Sequence, residues 1–318
     1  MRRVDWRDLY ASNRAVIERA HEAAGLSTPH TTIAAGRTRR TLVHTPAGGD
    51  PGTPRPLVCM LHGCTQDAAT FAAATRMNDA ADRHGFIVVY PQQERRENAQ
   101  RCWNWFDARH QARGAGEPAS IAAVVRDLVG TTTPWAVDPD RVFVAGLSAG
   151  GAMAAVMAAA YPDLFAGVAV HSGLAYRSAG SVRAAFGAMA RGAREVGEIA
   201  RPVPSIVIHG SDDRTVAPVN GEQVLAQSMA AEGLDPARPT STTRGRVPGG
   251  HAFARSRWLD VHGALRHERL AVEGMGHAWS GGLPGGSYTD PRGPDATAAI
   301  WSFFAEVGQP LARAALTC

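Results

Sequence analysis

One serine, one late histidine and a pair of aspartates stand in an order and spacing suited to acyl transfer. Gly146-Leu147-Ser148-Ala149-Gly150, followed by Gly151, is the chain's G-x-S-x-G match. It falls where RVFVAGL (141–147) gives way to AMAAVMAAA (152–160), as a strand would turn into a helix. Five residues are weak evidence in a chain with 34 glycines, so the context decides. Glycines two places before and after the serine leave room for a tight turn that lifts its hydroxyl out. The helix beginning there offers backbone N–H groups and partial positive charge to a developing oxyanion. The same turn would also suit a serine that only caps the helix. Gly25-Leu26-Ser27 repeats half of the pattern but lacks the second glycine and the flanking strand. Ser148 is therefore the expected nucleophile.

A serine nucleophile needs a base, a carboxylate to orient it and donors for the oxyanion. In the order serine, acid, histidine, the stretch His209-Gly210-Ser211-Asp212-Asp213-Arg214 follows an apolar run and supplies two candidate acids. Their chemistry alone leaves the choice open, since Asp212 could cap the turn or pair with Arg214. Histidines before residue 210 are disfavoured by chain order. His251, His262 and His267 lie in or beside arginine-rich, polar stretches and read as surface residues. His277, within Glu273-Gly274-Met275-Gly276-His277-Ala278-Trp279, sits in a glycine-flanked loop between a strand and the last helix. It is the expected base. The apolar run 57–61 opens into His62-Gly63-Cys64, so the backbone N–H groups of Cys64 and Ala149 are assigned to the oxyanion hole. His62 bonding backbone in that turn would be compatible with this.

The surrounding pattern is α/β. Two short strands around Gly36 within 31–45, then strands near 57–61, 86–90, 141–147, 166–170, 204–209 and 265–272, alternate with helices near 67–84, 119–130, 149–161, 219–232 and 295–306. The strands are continuous apolar runs, the mark of a mostly parallel sheet with helices on both faces. A polar, tryptophan-bearing loop spans 92–118. Residues 31–318 read as one domain, with a helical insertion or lid near 174–200 and an exposed excursion near 234–260. Residues 1–30 read as an amphipathic helical extension, with Trp6, Leu9, Tyr10, Val16, Ile17 and Ala20 near one face.

Composition excludes other chemistries. All 33 basic residues are arginines, so Schiff-base and phosphate-loop lysine chemistry are absent. The net charge of +4 is spread among acids, with no basic block interleaved with aromatics, so no nucleic-acid partner is expected. No apolar stretch approaches the ~20 residues of a membrane span, and no membrane partner is expected. The cysteines, Cys59, Cys64, Cys102 and Cys318, form no C-x-x-C pattern, and H-E-x-x-H is missing, so neither metal nor cofactor is expected. Cys59 reads as a buried small hydrophobe, and a bridge between Cys64 and Cys102 is left open.

Together these residues resemble the poly(3-hydroxybutyrate) depolymerase-type esterases, α/β-hydrolases related to feruloyl esterases. The likeness covers roughly 35–310. Beyond the serine motif and Gly274-Met275-Gly276-His277-Ala278-Trp279, it rests on Leu61-His62-Gly63-Cys64-Thr65-Gln66, Arg101-Cys102-Trp103-Asn104-Trp105-Phe106, Gly116-Glu117-Pro118-Ala119-Ser120-Ile121 and Gly286-Ser287-Tyr288-Thr289-Asp290-Pro291. The resemblance implies an α/β-hydrolase fold and places the acid four residues after His209, on Asp213. It also implies that Trp103, Trp105 and Trp279 line the substrate cleft and that Cys64 and Cys102 are bridged. The implied activity is hydrolysis of hydroxyalkanoate esters through an acyl-enzyme on Ser148. Feruloyl or acetyl esterase, serine peptidase and a non-catalytic binding protein are the rival readings. No polymer-binding segment is visible, which favours oligomers, amorphous polyester or small esters over crystalline polymer. The resemblance implies secretion, whereas charges fill the first 22 residues where a secretory signal needs an apolar core. Extracellular and cytoplasmic locations both stay open, as does the oligomeric state.

Overall fold

The computed structural model describes residues 26–34, 37–48, 52–130 and 136–309. The proposed extension over 1–30 lies outside them up to residue 25. Residues 26–30 are strand, not helix, because they pair with the strand that follows. The strands and helices run β1 (Leu26–Ala34), β2 (Arg37–Thr45), β3 (Arg55–Leu61), α1 (Ala68–Thr75), α2 (Met77–His84), β4 (Ile87–Pro91), α3 (Gly116–Gly130), β5 (Val137–Leu147), α4 (Ala149–Ala160), β6 (Gly167–His171), α5 (Val182–Arg191), β7 (Ser205–Gly210), α6 (Val219–Ala230), β8 (Ser241–Arg246), β9 (Ala252–Leu259), β10 (Leu265–Val272), β11 (Trp279–Ser280), β12 (Thr289–Asp290) and α7 (Ala296–Val307).

Ten strands make one sheet in the order β1-β2-β4-β3-β5-β6-β7-β10-β9-β8. The six from β4 to β10 run parallel, and an antiparallel pair flanks them on each side. Successive side chains of a strand point to opposite faces. Leu57, Cys59 and Leu61 of β3 accordingly join a core beneath α3, α4 and α6, while Val58 and Met60 join a second core beneath α1, α2 and α7. Both faces being covered is why these strands read as unbroken apolar runs rather than as alternations.

Two local differences from the sequence pattern have clear causes. The helix expected over 67–84 is two helices. Asp67 caps the first with a reciprocal Thr70 capping box, and the chain breaks at Arg76, which adopts φ 56°. The expected excursion over 234–260 is instead the hairpin of β8 and β9, which widens the sheet on the β10 side. Its polar residues fit an edge, where one side of the backbone faces no partner strand and side chains meet water. The 174–200 stretch contains α5, whose Ala185 and Ala188 are buried and whose Ser181 caps its first turn.

The parallel strands all deliver their C-terminal ends to one side of the sheet, where open α/β sheets place their sites. The loops after β3, β5, β6, β7 and β10 meet there.

Candidate active site

Ser148 directly follows β5 with φ 57° and ψ −121°, a conformation that costs a non-glycine residue on the order of 1–3 kcal/mol. Its side chain makes no capping bond to α4, which sets aside the helix-cap alternative. The packing holds it there. A Cβ on Gly146 would lie 2.3 Å from the Gly150 backbone, and one on Gly150 would lie 2.0 Å from the Leu61 carbonyl oxygen. The two motif glycines thus let the turn close on itself and let β3 pass against it.

That passage brings the loop after β3 over the serine, since a Cβ on Gly63 would sit 3.6 Å from Ser148 Cβ. Cys64 follows directly, and Ala149 is the first residue of α4, where N–H groups lack intrahelical partners. Among the described residues neither N–H has a protein acceptor. The loop is pinned from several directions. Gly63 N–H donates to Gln66 Oε1 (2.9 Å), Gln66 Nε2 donates to Ser287 O (2.9 Å), and Thr65 N–H donates to Gln100 O (2.6 Å). A disulfide joins Cys64 to Cys102 across 38 residues. Closing such a loop restricts the unfolded chain, so the Cys64→Ala/Cys102→Ala double variant is expected to lose roughly 2–4 kcal/mol. A denaturant titration checks this; a midpoint matching that of the parent would show that the bridge contributes nothing.

Contact separates the two aspartates. His277 Nδ1 lies 2.7 Å from Asp213 Oδ2, and Asp213 Oδ1 accepts from Thr215 N–H (3.0 Å) and Val216 N–H (2.8 Å). Asp212 is exposed, and its carboxylate accepts from the Ser211 hydroxyl instead. Burial by itself would raise the Asp213 pKa. Bonds from the flanking imidazoles of His209 and His277 and from the Val216 N–H outweigh burial and hold it far below the usual carboxylate range. A close approach joins the two loops: a Cβ on Gly210 would sit 2.2 Å from the Met275 carbonyl oxygen.

Three further histidines hold the loops of the site. His209 Nε2 donates to Val216 O (2.9 Å) and lies 3.4 Å from Asp213 Oδ2. His171 carries the serine on one side, its carbonyl accepting from Ser148 N–H (2.9 Å). On the other side its ring Nε2 accepts from Ser280 N–H (3.1 Å), three residues beyond His277. His62 accepts from Gln93 N–H through Nε2 (3.1 Å) and bonds Gly63 O through Nδ1 (2.8 Å). Sequence order set these histidines aside as bases but gave no sign that they brace the loops; the signal was their position at strand ends.

Burial drives the His62 pKa down to about 4 and that of His171, with help from the charges of His209 and His277, to about 3. An unfolded imidazole protonates near ~6.5, so the unfolded state takes up protons first as pH falls. Stability is therefore full above ~6.5 and declines toward the folded values. The Asp213 carboxylate, depressed in the fold, adds a loss of the same direction below ~4. The two histidines together cost on the order of several kcal/mol between pH 7 and 4. Calorimetric melting across that range checks it; a flat Tm contradicts it.

The three tryptophans expected in the cleft require correction. Trp103, Trp105 and Trp279 are 0, 4 and 1% exposed. Trp279 stacks on the His171 ring (4.9 Å between centroids), meets Phe71 edge-on and donates to Thr297 Oγ1. Trp103 lies beneath the Arg39 guanidinium and beside His62. Large apolar faces this close to the loops are buried as supports rather than offered to substrate. The loop carrying Trp103 and Trp105 is itself held by buried Glu117, which accepts from Asn104 N–H (2.7 Å) and from Gln93 Nε2 (2.5 Å). An aromatic that does reach the surface beside His277 is Tyr288, 47% exposed, 6.4 Å from the His277 ring and 3.4 Å from the Thr65 hydroxyl.

A largely parallel sheet with these loops at one end is the fold of the α/β-hydrolases. The fold is shared with acetyl xylan esterase from Aspergillus awamori, with TM-score 0.69 and 22% identity, covering 88% of this chain and 99% of that one. A family model described as esterase PHB depolymerase matches residues 43–247, and the chain belongs to that family. It is 39% identical over 247 residues to poly(3-hydroxyalkanoate) depolymerase C of Paucimonas lemoignei, covering 74% of this chain and 57% of that protein. It is 29% identical over 252 residues to poly(3-hydroxybutyrate) depolymerase of Ralstonia pickettii, covering 74% and 50% respectively. The chain thus spans about half the length of these relatives. Among the described residues no helix is long and apolar enough to cross a membrane.

Proposed function

We propose that the protein is a serine esterase that hydrolyses hydroxyalkanoate esters, oligomers among them, through an acyl-enzyme. The observation that carries this reading is the 2.7 Å bond from His277 to buried Asp213, at the sheet end where strained Ser148 stands. Asp213 fixes the proton on His277 Nδ1, leaving Nε2 to take the Ser148 proton as Oγ attacks the ester carbonyl. The oxyanion is held by Cys64 N–H and Ala149 N–H, and each such donor is worth ~2.7–4 kcal/mol in the transition state. The alcohol leaves with the proton from His277, and water releases the acyl group by the same steps. Tyr288 offers the exposed aromatic face at the mouth. The names and family of the relatives support a polyester-derived substrate.

The test is a panel of nitrophenyl butyrate, hydroxybutyrate oligomers, methyl ferulate and a peptide anilide, together with fluorophosphonate labelling. The expected result is the highest kcat/KM on the oligomers and labelling that disappears in Ser148→Ala. A protein that resists the label and cleaves no ester would be a binding protein on this fold.

A further inference from the structure

At the end of the sheet that carries Ser148, an open groove of about 760 Å³ runs along α5 and the segment before it. Four arginines line it, Arg177, Arg183, Arg191 and Arg194, against the single acid Glu195. Among the described residues none of the four pairs with a carboxylate; Arg177 lies over the Tyr176 ring. Ser178 lines the same groove, is 7% exposed, and its buried hydroxyl has no hydrogen-bond partner. Unpaired cations around a concavity fit an anionic ligand.

The groove is joined to the catalytic loops. Met189 of α5 accepts through its carbonyl from Ala217 N–H (2.7 Å), next to the Val216 N–H that binds Asp213. Ala179 O accepts from Gln111 Nε2, which also binds Trp105 O. The segment leading into the groove starts just past His171, the residue that holds the Ser148 backbone. Val182 and Phe186, 56 and 68% exposed, form an apolar row on α5 beside the groove-lining Arg183 and Gly187.

We propose that this groove binds the terminal carboxylate of the substrate, with its short alkyl units along Val182 and Phe186, so that the enzyme selects hydroxyacid oligomers with a free acid end. The inference rests on the esterase reading above. It adds that reading's substrate class: an ester whose acid terminus is anionic.

The test compares a 3-hydroxybutyrate trimer bearing a free carboxylate with the methyl ester of the same trimer, using nitrophenyl butyrate as the uncharged reference. The parent is expected to favour the acid trimer about tenfold in kcat/KM, as charge-assisted bonds at a partly exposed site allow. Arg183→Gln/Arg191→Gln loses that preference through KM while turning over nitrophenyl butyrate at the parent rate. Raising the salt to 0.5 M (about a 4 Å screening length) shrinks the preference in the parent alone. Calorimetric titration of Ser148→Ala with the acid trimer gives the binding without turnover, weakened about tenfold by the two glutamines. Equal rates on the two trimers, or a preference the glutamines leave intact, overturns the groove assignment while the esterase reading stands. Loss of all ester hydrolysis in the parent overturns that reading instead. In that case trimer binding to Ser148→Ala that the glutamines do not weaken overturns the groove assignment as well.

Discussion

Ser148→Ala is expected to lower kcat by about 10⁵–10⁶-fold, with the residual rate coming from the oxyanion donors and substrate positioning alone. A loss smaller than 100-fold would mean that another group attacks the ester. The backbone adds a second expectation. At φ 57° and ψ −121° any Cβ is strained, so Ser148→Gly removes about 1–3 kcal/mol of stored cost. The greater freedom of glycine in the unfolded chain returns about 1 kcal/mol of this. Ser148→Gly is therefore inactive yet melts no lower than the parent. An inactive variant that also melts several degrees lower would show that the turn is relaxed and its geometry has another origin.

Asp213→Asn is the second large effect, a fall in kcat of about 10⁴-fold. The amide can donate to His277 Nδ1, which moves the imidazole proton to Nε2 and removes the lone pair that the hydroxyl proton needs. Asp212→Asn, one residue away, should stay within about twofold, because its carboxylate is exposed and, among the described residues, bonds only its neighbour's hydroxyl. Steady-state kinetics on nitrophenyl butyrate for the pair of variants checks the assignment; equal losses would move the acid to Asp212. The depressed pKa of Asp213 keeps it ionised wherever an imidazole titrates. The acid limb of the parent's pH–rate profile therefore does not report protonation of Asp213.

What could be read from the chain follows the physics of each part. The central strands announced themselves because two covered faces demand apolar side chains at every position. The elbow was legible because its glycines are steric requirements. The chemistry of Asp212 and Asp213 alone did not separate them, because both sit one turn past β7 and differ only in side-chain direction; the spacing from His209 in the family resemblance pointed to Asp213. The tryptophans misled for a related reason: an apolar ring near an active loop can face substrate or sit under the loop, and sequence does not record which. The β8–β9 hairpin escaped because its strands carry arginine, serine and threonine. Its one plain signal was the turn-forming Val247-Pro248-Gly249-Gly250 between them. Tyr288 lay within a recognised segment, yet nothing local marked it as an exposed aromatic beside His277.

That hairpin has a consequence for how molecules meet one another. β8 ends the ten-stranded sheet and presents Arg244 and Arg246 along an exposed run. Two copies approaching rim to rim would have to press guanidinium against guanidinium before their backbones could ladder. At low ionic strength the rim repels its own kind, and the cost of carrying polar residues in a strand becomes protection against fibrous stacking.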